Sequence, residues 1–63
     1  MAKVGDKIKI IYMEGEPQYS GKIGIVSKIS IDPWGDERLD GTWGGCAIYP
    51  DKDEFEIIEE VTK

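Results

Sequence analysis

Fourteen residues, Thr42-Trp43-Gly44-Gly45-Cys46-Ala47-Ile48-Tyr49-Pro50-Asp51-Lys52-Asp53-Glu54-Phe55, leave this chain few folds to choose from. Gly44-Gly45 stands between two β-prone runs, and two adjacent residues free to take positive φ are the signal of a two-residue hairpin. Pro50 fixes its own φ and ends the strand that carries Cys46 and Ile48. The polar run Asp51-Lys52-Asp53-Glu54 then has the composition of one helical turn, after which Phe55 opens a last strand. The upstream chain is therefore expected to supply the rest of a sheet.

It has the patterns to do so. Gly5-Asp6 opens Lys7-Ile8-Lys9-Ile10-Ile11-Tyr12, in which Ile8, Ile10 and Tyr12 alternate with Lys7 and Lys9, the mark of a half-buried strand. Met13 to Gly21 holds two glycines and Pro17 and reads as a loop. Lys22 to Ile31 is the longest β run, but its alternation slips between Val26 and Ile29. With Gly24 and Val26 inward, Ile29 can point inward only if a β-bulge inserts a residue near Ser27-Lys28, and such a bulge lets one strand serve two sheets. Gly24 then marks a close approach of backbone inside the fold. Asp32-Pro33-Trp34-Gly35 is a turn, and Leu39, Gly41 and Trp43 share a face of the strand that follows it. Phe55 and Ile57 point inward from the last strand, and Glu59 to Lys63 is expected to fray.

At 63 residues the chain is one domain, with an ordered core expected over about residues 4–59. A domain of that size buries only about 60% of the surface its unfolded chain exposes, so the core is thin and leaves little room for an internal active site. The single cysteine, Cys46, rules out an intramolecular disulfide and reads as a buried structural thiol. The absence of histidine removes the commonest metal ligand and the commonest general base. No metal or cofactor is expected. No apolar run reaches the roughly 18 residues of a membrane span, nor is there an apolar signal-peptide region, and the expectation is a soluble cytoplasmic protein.

Five short strands, a bulged second strand and a single helical turn before the fifth make the expected fold an all-β, five-stranded SH3-like barrel, with an OB-type barrel as the alternative. The residues that carry this reading also have a family likeness: Gly5-Asp6-Lys7-Ile8, Gly21-x-x-Gly24-x-Val26, Gly41-Thr42-Trp43-Gly44-Gly45 and Pro50-x-x-Asp53-x-Phe55-Glu56-Ile57-Ile58. From about residue 5 to 58 the chain resembles a family of very small bacterial and phage-associated domains of unknown function. The resemblance implies an SH3-like barrel, soluble and without an assigned activity. The segment Ser30 to Asp40 departs from it, since the family tends to a shorter, plainer turn where this chain has Asp32-Pro33-Trp34-Gly35.

In an SH3-like barrel the loops after the first and second strands and the turn before the last gather at one side. Here they would bring Tyr12, Tyr19, Trp34, Tyr49 and Pro50 together, with Glu14, Glu16, Asp32 and Asp53 at the rim. Flat rings accept polyproline ridges and carboxylates accept a Lys or Arg, so the expected partner is a protein or peptide segment, and the expected role is a non-catalytic binding or adaptor module. The same group of rings suits an alkylated ammonium. Rings that merely cap a thin core are the competing explanation. The second function class is RNA or ribonucleoprotein binding through Lys7, Lys9, Lys22 and Lys28. The net charge of −5 argues against nucleic acid. Residues 1 to 31 carry five cations against three acids, a balance of +2, and residues 32 to 63 three against ten, a balance of −7. Catalysis would rest on Asp51 and Asp53 or on Glu54 and Glu56, pairs that read as solvated surface, so no enzyme is expected. The expected state is a monomer or a weak homodimer, since an open sheet leaves an edge free.

Overall fold

Alternation, breakers and three slips in register account for most of the architecture. The computed structural model describes residues 2–61. Four antiparallel strands, β1 (Lys7–Tyr12), β2 (Ile23–Ile31), β3 (Glu37–Gly41) and β4 (Glu54–Glu59), form one sheet in the order β3-β2-β1-β4. A 3₁₀ turn covers Pro17–Tyr19, with Pro17 at its first position, where a missing N–H costs nothing. No helix among the described residues is long and apolar enough to cross a membrane.

β2 belongs to both halves of the sheet. Its first residues pair with β1, Ile23 opposite Lys9 and Ile25 opposite Lys7, and from Val26 onward it pairs with β3. The register slips between Val26 and Lys28, so the expected bulge is present, at the point where the strand passes from one partner to the other. Beyond it Ile29 packs against the core. Ile8, Ile10, Val26, Leu39, Ile48, Met13 and Trp43 are the buried apolar residues.

Trp43 lies over two glycines. A Cβ on Gly24 would come 2.8 Å from the Trp43 amide nitrogen, and one on Gly41 would collide with the Trp43 ring and the Ile25 carbonyl. Gly24 therefore has the close-approach role expected of it. The ring is buried and its Nε1 donates to the Cys46 carbonyl at 2.6 Å.

Three expectations differ from what forms. Where the sequence leads one to expect five strands, the described residues form four strands and a single bridge, in which Leu39 and Ile48 exchange hydrogen bonds of 2.8 Å. A two-residue loop at Gly44-Gly45 would set Gly41 opposite Ile48. Leu39 takes that place because Trp43 turns into the core and its bond to Cys46 organises a wider reversal with its turn at Thr42-Trp43. The helical turn before the last strand is a hydrogen-bonded turn, with the Lys52 and Asp53 amides both donating to the Tyr49 carbonyl at 2.8 Å, while the 3₁₀ element sits after β1 instead. Finally, Tyr12 does not continue the inward row of Ile8 and Ile10. The β1–β4 register shifts between Ile10 and Tyr12, which turns Tyr12 outward and gives Met13 the buried position.

Asp6 fastens the two ends of the described chain to the sheet. Its side chain is fully buried; Oδ2 accepts from the Lys3 amide and Oδ1 from the Val61 amide, each at 2.8 Å. The chain is thus anchored as far as Val61, past the expected start of fraying; Thr62 and Lys63 lie outside the described residues. The Val61 amide first, then that of Lys3, hold the Asp6 carboxyl below the usual carboxylate range, against burial, which raises it. A depressed folded pKa adds stability in full above the unfolded value of about 3.9, and that stability is lost as pH falls through the folded one. Asp6→Asn is therefore expected to unfold at lower urea than the parent at neutral pH, with the gap closing as the pH drops below the carboxylate range. An equal gap at every pH would mean that the charge of Asp6 adds nothing.

Candidate functional site

The chain leaving β1 and the turn leading into β4 meet at one end of the sheet. Asp53 joins them: Oδ1 accepts from the Glu14 amide at 3.1 Å and Oδ2 from the Tyr49 amide at 2.9 Å. With both oxygens committed to backbone, Asp53 is a clasp between the two segments.

Beside this clasp is an open pocket of about 440 Å³. Met13, Cys46, Ala47 and Tyr49 give it an apolar side, and Glu14, Gly15, Glu16 and Lys52 stand around it with Asp53. Arg38 reaches it from β3. The Arg38 Nη2 donates to Asp40 Oδ1 at 3.2 Å, the one ion pair among the described residues, and the Asp40 carboxylate raises the guanidinium pKa further, fixing its charge. Lys52 holds its Nζ 5.9 Å from the centre of the Tyr49 ring, within cation–π range. Glu14 and Glu16 make no ion pair among the described residues, although Glu16 accepts a hydrogen bond from the Gln18 side chain.

Of the nine residues expected at a site, the structure brings Glu14, Glu16, Tyr49 and Asp53 to this pocket. Pro50 begins the adjoining turn without lining the pocket, and Tyr12 lies outward on β1. Tyr19 packs on the far side of the Gly44–Cys46 loop: a Cβ on Gly44 would come 2.7 Å from its ring. The Cys46 thiol beside it, then burial, push the Tyr19 hydroxyl above its ordinary value, and Lys22 sits 5.6 Å from the ring centre. Tyr19 thus caps the core, and Cys46 is half-buried between that ring and the pocket.

Asp32 and Trp34 are elsewhere, on the β2–β3 turn. Asp32 Oδ1 accepts from the Trp34 and Asp36 amides, each at 2.9 Å, and Gly35 completes the turn at φ +88°. The Trp34 side of this turn stands free, 84% exposed. The four lysines do not form one strip. Lys7 and Lys9 share the outer face of β1, Lys22 covers Tyr19, and Lys28 follows the bulge opposite Asp40.

Arg38, Ala47 and Met13 are pocket residues that the sequence does not point to. The first two meet only because Leu39 pairs with Ile48, a register set by Trp43, and Met13 is exchanged with Tyr12 by the slip at the end of β1. No group of three or more His, Cys, Asp or Glu among the described residues is placed to hold a metal ion. The pocket can accept an alkyl stem along Met13, Ala47 and the Tyr49 ring with a cation toward Glu14 and Glu16. Comparison with family models, with curated proteins and with solved structures found no match to this chain.

Proposed function

We propose that this small all-β domain is a non-catalytic binding module that takes a Lys- or Arg-bearing segment of a protein at the pocket between the chain after β1 and the turn before β4. The observation that carries this reading is the pairing of an apolar wall, Met13, Ala47 and Tyr49, with the carboxylates of Glu14 and Glu16 at its edge, which make no ion pair among the described residues. A long cationic side chain is apolar along its stem and charged at its tip, so it matches both. Within the same proposal, the segment around Ile48 is the fifth strand of an SH3-like barrel, bent at the β2 bulge, as the resemblance to the family of unknown function implies.

An amide-resolved NMR titration with a pool of basic, proline-rich peptides tests it. Shifts are expected at Met13 to Glu16, Cys46 to Tyr49 and Lys52-Asp53. Glu14→Gln with Glu16→Gln is expected to weaken binding about tenfold, two rim charges at up to about 1 kcal/mol each, with weaker salt dependence. Trp34→Ala serves as the control: the side chain is exposed and does not line the pocket, so neither the binding nor the unfolding midpoint is expected to change. Binding that ignores the loss of both glutamates would sink the pocket as the site.

A further inference from the structure

The two margins of the sheet are finished differently. On β3, Leu39 is covered by Ile48, the two exchanging their hydrogen bonds. On β4, no strand lies along the far side among the described residues. An uncovered margin presents a row of backbone donors and acceptors that a further strand can use.

Three observations define what that strand must be. On the inner face, Phe55 and Ile57 pack on the core yet remain only half-buried, so an apolar side chain from a neighbouring strand would complete their cover. On the outer face the sheet is arranged in columns: Ile23 and Ile25 on β2, Lys7 and Lys9 on β1, then Glu54 and Glu56 on β4, joined by Glu59 because a register shift at Ile58 brings it opposite Lys7. Across the ladder Lys9 stands opposite Glu56 and Lys7 opposite Glu59. The sign changes from the β1 column to the β4 column, and the column after the glutamates is complemented by cations. Third, a second copy of β4 fits poorly. In an antiparallel pairing centred anywhere from Glu56 to Ile58, acid meets acid: Glu56 with itself, Glu54 with Glu59 or Glu60, or Glu56 with Glu59 or Glu60. Like charges directly opposite are destabilising.

We propose that the free margin of β4 is a strand-addition site for an extended protein segment in which Lys or Arg alternates with apolar residues. The backbone ladder supplies the affinity, the alternation selects the partner, and the glutamates keep two copies of the domain apart. This site does not depend on the pocket.

The test uses the intact protein and three capped hexapeptides: lysine alternating with valine, glutamate alternating with valine, and the lysine peptide methylated on alternate backbone nitrogens. The lysine peptide is expected to shift the amides of Glu54 to Glu59 and slow their hydrogen exchange, while the other two leave them unchanged. In the exposed double variant E54K/E56K the preference is expected to reverse, with the lysine peptide about tenfold weaker. Binding of the methylated peptide as tight as that of its parent overturns the ladder. So do shifts confined to the pocket residues, which would leave only the pocket reading standing. Slowed exchange along β4 without peptide, together with a dimer in sedimentation, assigns the margin to a second copy and overturns the proposal as well.

Discussion

Trp43→Ala is expected to lower the unfolding free energy by about 3 to 5 kcal/mol, the range for truncating a buried aromatic ring. A domain of this length holds roughly 3 to 9 kcal/mol in all, so little margin remains. The loss has three parts: the buried area of the ring, the contacts with Gly24 and Gly41 beneath it, and the hydrogen bond from Nε1, without which the Cys46 carbonyl must find another donor. Urea denaturation followed by far-ultraviolet circular dichroism measures it. Fluorescence gives an independent check, because the variant keeps only Trp34, whose emission should already be that of an exposed ring in the folded state. A midpoint equal to that of the parent would contradict the placement of Trp43 at the centre of the core.

Gly41→Ala is expected to cost about 2 to 3 kcal/mol for the opposite reason, excess volume instead of lost volume. The new methyl meets two obstacles, the Trp43 ring and the Ile25 carbonyl. A smaller ring can give way, while the backbone of β2 cannot move without disturbing the bulge one residue on. The two sites are therefore expected to be coupled. In a Trp43→Phe background, Gly41→Ala should cost measurably less than in the parent, since part of the collision is relieved and the carbonyl part remains. Additive losses would mean that the ring and the glycine do not share one slot.

What could be read in advance divides along local and non-local causes. The strand cores, the bulge after Val26, the turn at Asp32 to Gly35 and the close backbone approach at Gly24 follow from period, breakers and side-chain size, all of which act over a few residues, whereas the ring that lies over Gly24 comes from the distant Trp43. Met13 and Tyr12 exchange places because β4 pairs with β1 out of step, and nothing within Ile10-Ile11-Tyr12-Met13 announces that. The Gly44-Gly45 pair carries a strong hairpin signal, but the burial of one indole outweighs the turn preference of two glycines. The candidate site was legible to the same degree. Glu14, Glu16, Tyr49 and Asp53 are found by topology alone, whereas Arg38 arrives through a register that only the folded sheet defines.

Asp6 has a consequence at a larger scale. One carboxylate receives the amides of Lys3 and Val61, so the two ends of the described chain leave the domain from the same spot, with Val61 packed under Gly5. A unit whose ends coincide can be spliced into a surface loop of a host protein without forcing the loop apart, and its ends can be joined and reopened elsewhere. The β2–β3 turn, solvent-exposed at Pro33 to Gly35, is the natural place for such a reopening. The geometry that ties both ends to a single buried acid also makes the domain portable.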